Sequence, residues 1–211
     1  ALNVQPSTWT SSGQILANGG TLSLGGAWSN TGTMTATNAT VNLGGTFTLA
    51  QLGTFNRTGG TVNLTGTLTN TGTTLALNAT TGDWNLRGGT VAGGTISVAD
   101  GAKFIPTTSG GFINGVTLKG DAAQTQPVVM DVNGGNVVVG ITGDLTLDNA
   151  TVNIQNAARL DFVSQNAGLL GSGSVVFGND DVRNTIRSTF GGGQLTFGAN
   201  VTVKGGGGRI G

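Results

Sequence analysis

Asn42-Leu43-Gly44-Gly45-Thr46 returns as Asn63-Leu64-Thr65-Gly66-Thr67, and again as Asn85-Leu86-Arg87-Gly88-Gly89-Thr90. The steps are 21 and 22 residues. A second phrase, Ser29-Asn30-Thr31-Gly32-Thr33, returns as Thr69-Asn70-Thr71-Gly72-Thr73 after 40 residues. Asn38-Ala39-Thr40 returns at Asn78-Ala79-Thr80 after the same interval. A unit of about 20 residues with a looser double period marks a repeat architecture whose units stack on their neighbours. Further along the rhythm loosens. Ser174 to Asn179 is echoed from Gln194 to Gly198 after 20 residues, and Lys119-Gly120-Asp121 by Thr142-Gly143-Asp144 after 23. Such drift is expected where insertions sit in the loops of a stack.

Inside each unit apolar residues alternate with polar ones. Val62 and Leu64 flank Asn63, Trp84 and Leu86 flank Asn85, and Ile96 and Val98 flank Ser97. Val152 and Ile154 flank Asn153, and Val201 and Val203 flank Thr202. A period of two is the signature of a half-buried strand. The strands are short and bounded by Gly, Asn and Asp, which tolerate the backbone of tight corners. A propeller blade needs roughly 40–50 residues. A sandwich gives alternation without a register repeat. A solenoid coil of two or three short strands fits about 20 residues and stacks equivalent positions directly, so Asn and Thr form polar ladders and Leu and Val the core.

The expected fold is therefore all-β: a single-domain parallel β-helix, or β-solenoid, of about ten coils and about 20 residues per coil. The crossover rule for parallel strands makes it right-handed. At about 4.8 Å per coil the rod is about 48 Å long. One continuous domain spans 1–211, with regular Thr/Asn/Gly-rich coils over about 1–100 and less regular ones over about 101–211. Of the 9 Asp residues, 8 fall from Asp100 onward.

Composition supports this and narrows function. Of 211 residues 40 are Gly, about a fifth, and charged residues make up 9%. The usual shares are about 7% and about 25%. Glu is absent and Lys is limited to Lys103, Lys119 and Lys204, so good helix formers are scarce. The formal net charge is zero and no basic stripe is present, which argues against nucleic acid and anionic membrane surfaces as partners. No apolar run approaches the length of about 18 residues needed to span a bilayer. Residues 1–20 lack a basic start followed by an apolar core. With a close as Gly-rich as Gly205 to Gly211, the sequence reads as a piece of a longer repeat protein. There is no Cys, so the compartment need not be oxidising.

The stretches Gly60 to Gly72 and Leu195 to Gly205 resemble the repeats of large bacterial surface and secreted exoproteins, the filamentous-haemagglutinin-like and autotransporter-passenger-like adhesins. The resemblance covers most of the chain and rests on repeat rhythm and composition. It implies a β-helix, an extracellular or bacterial cell-surface address, and a role in attachment or as a spacer. It brings no binding residues with it.

With no His, Cys, Tyr or Glu, a Ser-His-Asp triad, a Cys-His pair and the usual zinc ligand sets are excluded. The best enzymatic candidate is Asp180-Asp181 with Arg183 and Arg187, since paired carboxylates serve glycoside cleavage. Gly178-Asn179-Asp180-Asp181 faintly resembles the acidic motif of pectin-degrading β-helices, whose Gly-His-Gly signature is missing. The plainer reading is a polar loop with Asp and Arg paired at the surface. Thr33, Thr35 and Thr37 alternate, as do Thr46 with Thr48 and Thr67 with Thr69, resembling the faces of ice-binding solenoids, although β-branched Thr suits any solvent-facing strand. Trp9, Trp28 and Trp84 are candidate sugar platforms or, more plainly, core; Trp84 alternates with Leu86 and so points inward. Asp144 with Asp148, or Asp121 with Asp131, are candidate calcium pairs at turns. Asn-x-Ser/Thr sequons begin at Asn38, Asn56, Asn63, Asn78, Asn149 and Asn200, and arise by chance in a chain so rich in Asn and Thr.

The expectation is a non-enzymatic, extracellular structural or adhesive module: a stiff spacer, adhesin segment or fibre-forming unit. No catalytic, cofactor-binding or metal residues are assigned and no cofactor is expected. Its partners are flanking repeats or head-to-tail copies of itself, with surface glycans as a further class. The alternatives are a pectate-lyase-type enzyme and a glycan- or ice-binding module.

Overall fold

The computed structural model describes residues 1–211, and the chain winds as a parallel β-solenoid with three strand-bearing faces. The first face carries Leu2–Val4, Thr21–Leu24, Thr40–Leu43, Thr61–Leu64, Trp84–Leu86, Phe104–Pro106 and Val128–Asn133, then 151–155, 172–177 and Asn200–Gly205. These ten rungs form an unbroken parallel ladder. One column of partners runs Leu2, Leu22, Val41, Val62, Trp84, Phe104, Met130, Val152, Val175, Val203. It covers 201 residues in nine steps, a mean of about 22. The excess over 20 comes from long corners, notably the steps of 26 from Phe104 to Met130 and of 28 from Val175 to Val203.

The second face runs in the same way from Thr8–Ser11 to Arg209–Ile210. The third face is divided. Gln14–Asn18, Thr33–Thr37 and Thr54–Thr58 form a separate three-stranded sheet, and the ladder resumes with Thr74–Leu77 and Thr95–Val98. Farther on, single strands pass round the corners: Gly111–Lys119, Val138–Gln155 and Ala167–Phe177. Register shifts at Asn114/Val116, Val128/Met130 and Asp148/Ala150 mark irregularities in these ladders. A bulge places an extra residue in one strand and bends it, so the ladder turns without stopping.

Inward side chains form one cluster of 44 buried residues along the axis. Each fully buried Leu, Val or Phe contributes about 1.5–3 kcal/mol of transfer free energy. On the second face Trp9, Trp28 and Phe47 stack, with ring centroids 5.5 and 4.6 Å apart and planes inclined by 11° and 19°. The two indole N–H groups repeat one bond, Trp9 Nε1 to Gly25 O and Trp28 Nε1 to Gly44 O, each 2.9 Å.

Side-chain ladders explain the sequence phrases. On the outer side of the first face Asn42 Nδ2 donates to Ser23 Oγ at 3.0 Å, Asn63 Nδ2 to Asn42 Oδ1 at 2.8 Å and Asn85 Nδ2 to Asn63 Oδ1 at 3.0 Å. Asn30 and Asn70 are wholly buried at the corner between the second and third faces. Asn30 Nδ2 donates to Leu52 O at 3.1 Å, and Asn70 Nδ2 to Thr95 O at 2.9 Å. The coil between them turns this corner with the only helix, Leu49–Leu52, closed by a capping box of Thr48 and Gln51. That alternation produces the interval of 40. Asn38-Ala39-Thr40 and Asn78-Ala79-Thr80 are not equivalent in the same way. Thr40 begins a strand, whereas Thr80 lies inside a six-residue corner, 78–83.

Candidate functional site

The division of the third face opens a recess at the corner towards the first face. Arg57 faces inward, in register with Ala36 and, one coil earlier, Ala17. An aliphatic residue fits that slot, but a guanidinium must find acceptors there. Its Nε donates to Gly59 O at 3.0 Å, Nη2 to Gly60 O at 2.7 Å and Nη1 to Thr81 O at 2.8 Å. Gly82 makes room, because a Cβ there would overlap the guanidinium. Beside this clamp lies a cleft of about 490 Å³, bordered by Arg57, Thr80, Asp83, Asp100 and the backbone of Gly59 and Gly101. Asp83 Oδ1 accepts from Lys103 N at 2.8 Å and Asp100 Oδ2 from Ala79 N at 3.3 Å, so each carboxylate ties one coil to the next. The cleft offers donors and acceptors without a nucleophile–base pair.

The candidates drawn from sequence are dispersed. Asp181 accepts from Arg183 Nε at 2.9 Å and Nη2 at 2.7 Å, a pair confined to one exposed loop. The side-chain hydrogen bond from Arg183, then the Arg183 backbone N–H, hold the Asp181 carboxyl below its ordinary value, and the same partner raises Arg183. Asp180 packs against Gly206. Arg187 belongs to the second face, where Nε and Nη2 each meet an oxygen of Asp161 at 2.9 Å; that hydrogen bonding, then the charge of Asp161, raises it above its ordinary value. The four residues do not converge, and none lines the larger clefts.

No family model, no curated protein and no solved structure matches this chain.

The threonines are dispersed as well. Thr33 lies on the third face, whereas Thr46 and Thr67 are register partners on the second, so they form no single plane. Trp28 and Trp84 are core residues, 2% and 1% exposed. Trp84 meets Phe55 edge to face at 6.3 Å, and its indole N–H is buried without a partner. The paired aspartates hold protein groups: Asp148 pairs with Lys119 at 3.3 Å, Asp131 with Lys103 at 3.7 Å, Asp144 Oδ1 accepts from Gly168 N at 2.7 Å, and Asp121 Oδ1 from Ala123 N at 2.9 Å. No three acidic side chains come together as a metal cage needs. Sequence reading missed the Arg57 recess. Its signal was an arginine in the apolar slot of the alternating run Thr54 to Thr58.

Proposed function

We propose that this chain is a stiff structural and adhesive segment of an extracellular, bacterial surface protein. The observation that carries the reading is the first face, ten rungs in continuous register. Nine steps at about 4.8 Å make a straight rod of about 43 Å in which each coil is hydrogen-bonded to its neighbours. Such a body resists bending and sets a distance between what it joins. Leu2 and Ile210, inward positions at the two ends of the stack, are 49% and 54% exposed. Flanking repeats or a second copy stacked head to tail would cover them, as unpaired strand edges favour.

Negative-stain microscopy and light scattering across a concentration series test this. The expected particles are straight rods. Lengthening in whole multiples assigns the ends to assembly, and a constant single length assigns the segment to spacing. Globular or hinged particles at all concentrations overturn the proposal.

A further inference from the structure

On the outer side of the second face one column runs Thr46, Thr67, Thr90, Phe112, Gly140, Asp161, Arg187. It changes character at Phe112, whose ring takes a position filled by Thr in the three coils before it and is 49% exposed. Ile113 beside it is fully buried, so Phe112 adds nothing to the core. Gly140, on the next rung, has no positive φ and needs no glycine for its backbone. It is needed for space, because a Cβ there would stand 2.5 Å from Cδ1 and Cε1 of the Phe112 ring. The ring leans across the gap that the missing side chain leaves.

Asp161 closes the far side of that gap. It is only 7% exposed, and Arg187 grips both carboxylate oxygens at 2.9 Å in a bidentate pair that fixes their orientation. Arg159 Nε lies 3.8 Å from Asp161 Oδ1, buried, with no hydrogen-bond partner of its own. Val138 and Val163 also border the space, a cleft of about 330 Å³. Its volume falls within the range of about 300–1,000 Å³ typical of small-molecule sites.

An apolar ring face on one side, aliphatic flanks and an oriented carboxylate on the other match one ligand chemistry. A pyranose has a C–H face that packs on an aromatic ring and hydroxyls that both donate and accept. Hydroxyls donate to Asp161, whose oxygens Arg187 holds in place from behind the cleft. A flat aromatic ligand would leave the Asp161 carboxylate unused, and an acidic sugar would bring a second carboxylate against it. We propose that the notch of Phe112, Gly140 and Asp161, its carboxylate oriented by Arg187, is a binding subsite for a neutral pyranose unit of a glycan. This deepens the adhesive reading of the rod by giving it a ligand class and rests on that reading for its biological sense.

The test is titration of the whole chain with methyl glycosides of glucose, galactose, mannose and N-acetylglucosamine, and with glucuronate as the anionic counterpart. Two-dimensional NMR shifts are the readout. At least one neutral glycoside is expected to saturate signals of Phe112, Gly140 and their neighbours. Phe112→Ala should weaken it about tenfold, and Phe112→Trp should retain it. Gly140→Ala displaces the ring and should weaken binding without touching Phe112, an independent check should Phe112→Ala lower stability. Saturation that survives Phe112→Ala, binding of glucuronate alone, or no binding of any glycoside overturns the subsite. Light scattering on the same samples reports the rod separately: straight rods without sugar binding sink the subsite alone, and sugar binding by globular particles sinks the rod.

Discussion

The first five coils and the last five solve the same problem with different chemistry. Up to about residue 100 every corner interrupts the strands, which are three to five residues long. Coils are keyed by like side chains: the aromatic stack Trp9–Trp28–Phe47 and the Asn42–Asn63–Asn85 ladder on successive coils, and the buried corner residues Asn30 and Asn70 on alternate ones. Beyond it, strands of 9, 18 and 11 residues pass round corners, so the main chain carries more of the continuity, beside one remaining ladder of Asn133, Asn156 and Asn179. There the inward columns are ordinary apolar residues that do not stack ring on ring, such as Ile113, Ile141 and Phe162 on the second face. Side-chain ladders demand the same residue at each rung; main-chain ladders demand only alternation and a tolerant corner.

The sharpest way to break the contrast is at the stack. Trp28→Ala removes the middle ring and its bond to Gly44 O, and should cost about 3–5 kcal/mol. Hydrogen exchange should show lost protection in the first coils while the ladder of Val138–Gln155 stays protected. Equal loss in both halves would mean that the coils unfold as one unit. Next is Asn30→Ala, which leaves Gly32 N and Leu52 O at a buried corner without their partner and should cost about 1–3 kcal/mol, read by denaturant unfolding. In the second half Gly115→Ala tests the corner alone. Its φ is +58° and a Cβ would meet nothing, so the left-handed backbone accounts for the whole effect, about 1–2 kcal/mol. The smallest effect concerns the exposed Asp181–Arg183 pair. Because the folded carboxyl is held below its ordinary value, its stabilisation is complete above the ordinary aspartate range, near pH 3.9, and fades as pH falls through the lower folded value. Asp181→Asn should lower stability slightly at neutral pH and not at all in strong acid, so the acid limb of a denaturation profile flattens by that same small amount.

This contrast decides what could be read in advance. The period, the alternation and the inward direction of Trp84 were legible because Asn42, Asn63 and Asn85 must bond one another and so must match. The longer coils were not, because corners such as 78–83 vary in length without changing the ladder on either side. Repetition also misled in one place: Asn38-Ala39-Thr40 and Asn78-Ala79-Thr80 share letters but turn corners of different size. Alternation shows that a Thr faces outward but not on which of three faces, so the separation of Thr33 from Thr46 needed the structure. The same holds for Arg187, whose partner Asp161 lies 26 residues away on the preceding rung, while Asp181 is nearer in sequence.

The ring stack has an optical consequence. The chain has three Trp and no Tyr, so indoles supply its near-ultraviolet emission, and two of the three lie nearly parallel at 5.5 Å. Transition dipoles that close couple, so Trp9 and Trp28 should give a paired circular-dichroism band that no isolated indole shows. Trp9 belongs to the first coil and is only half-buried, with no ring stacked on its outer side. Whatever docks on that end, a further coil or another molecule, shields the outermost chromophore from water and quenchers. The solenoid therefore carries a label-free reporter of anything that covers its first coil, readable by fluorescence without altering a residue.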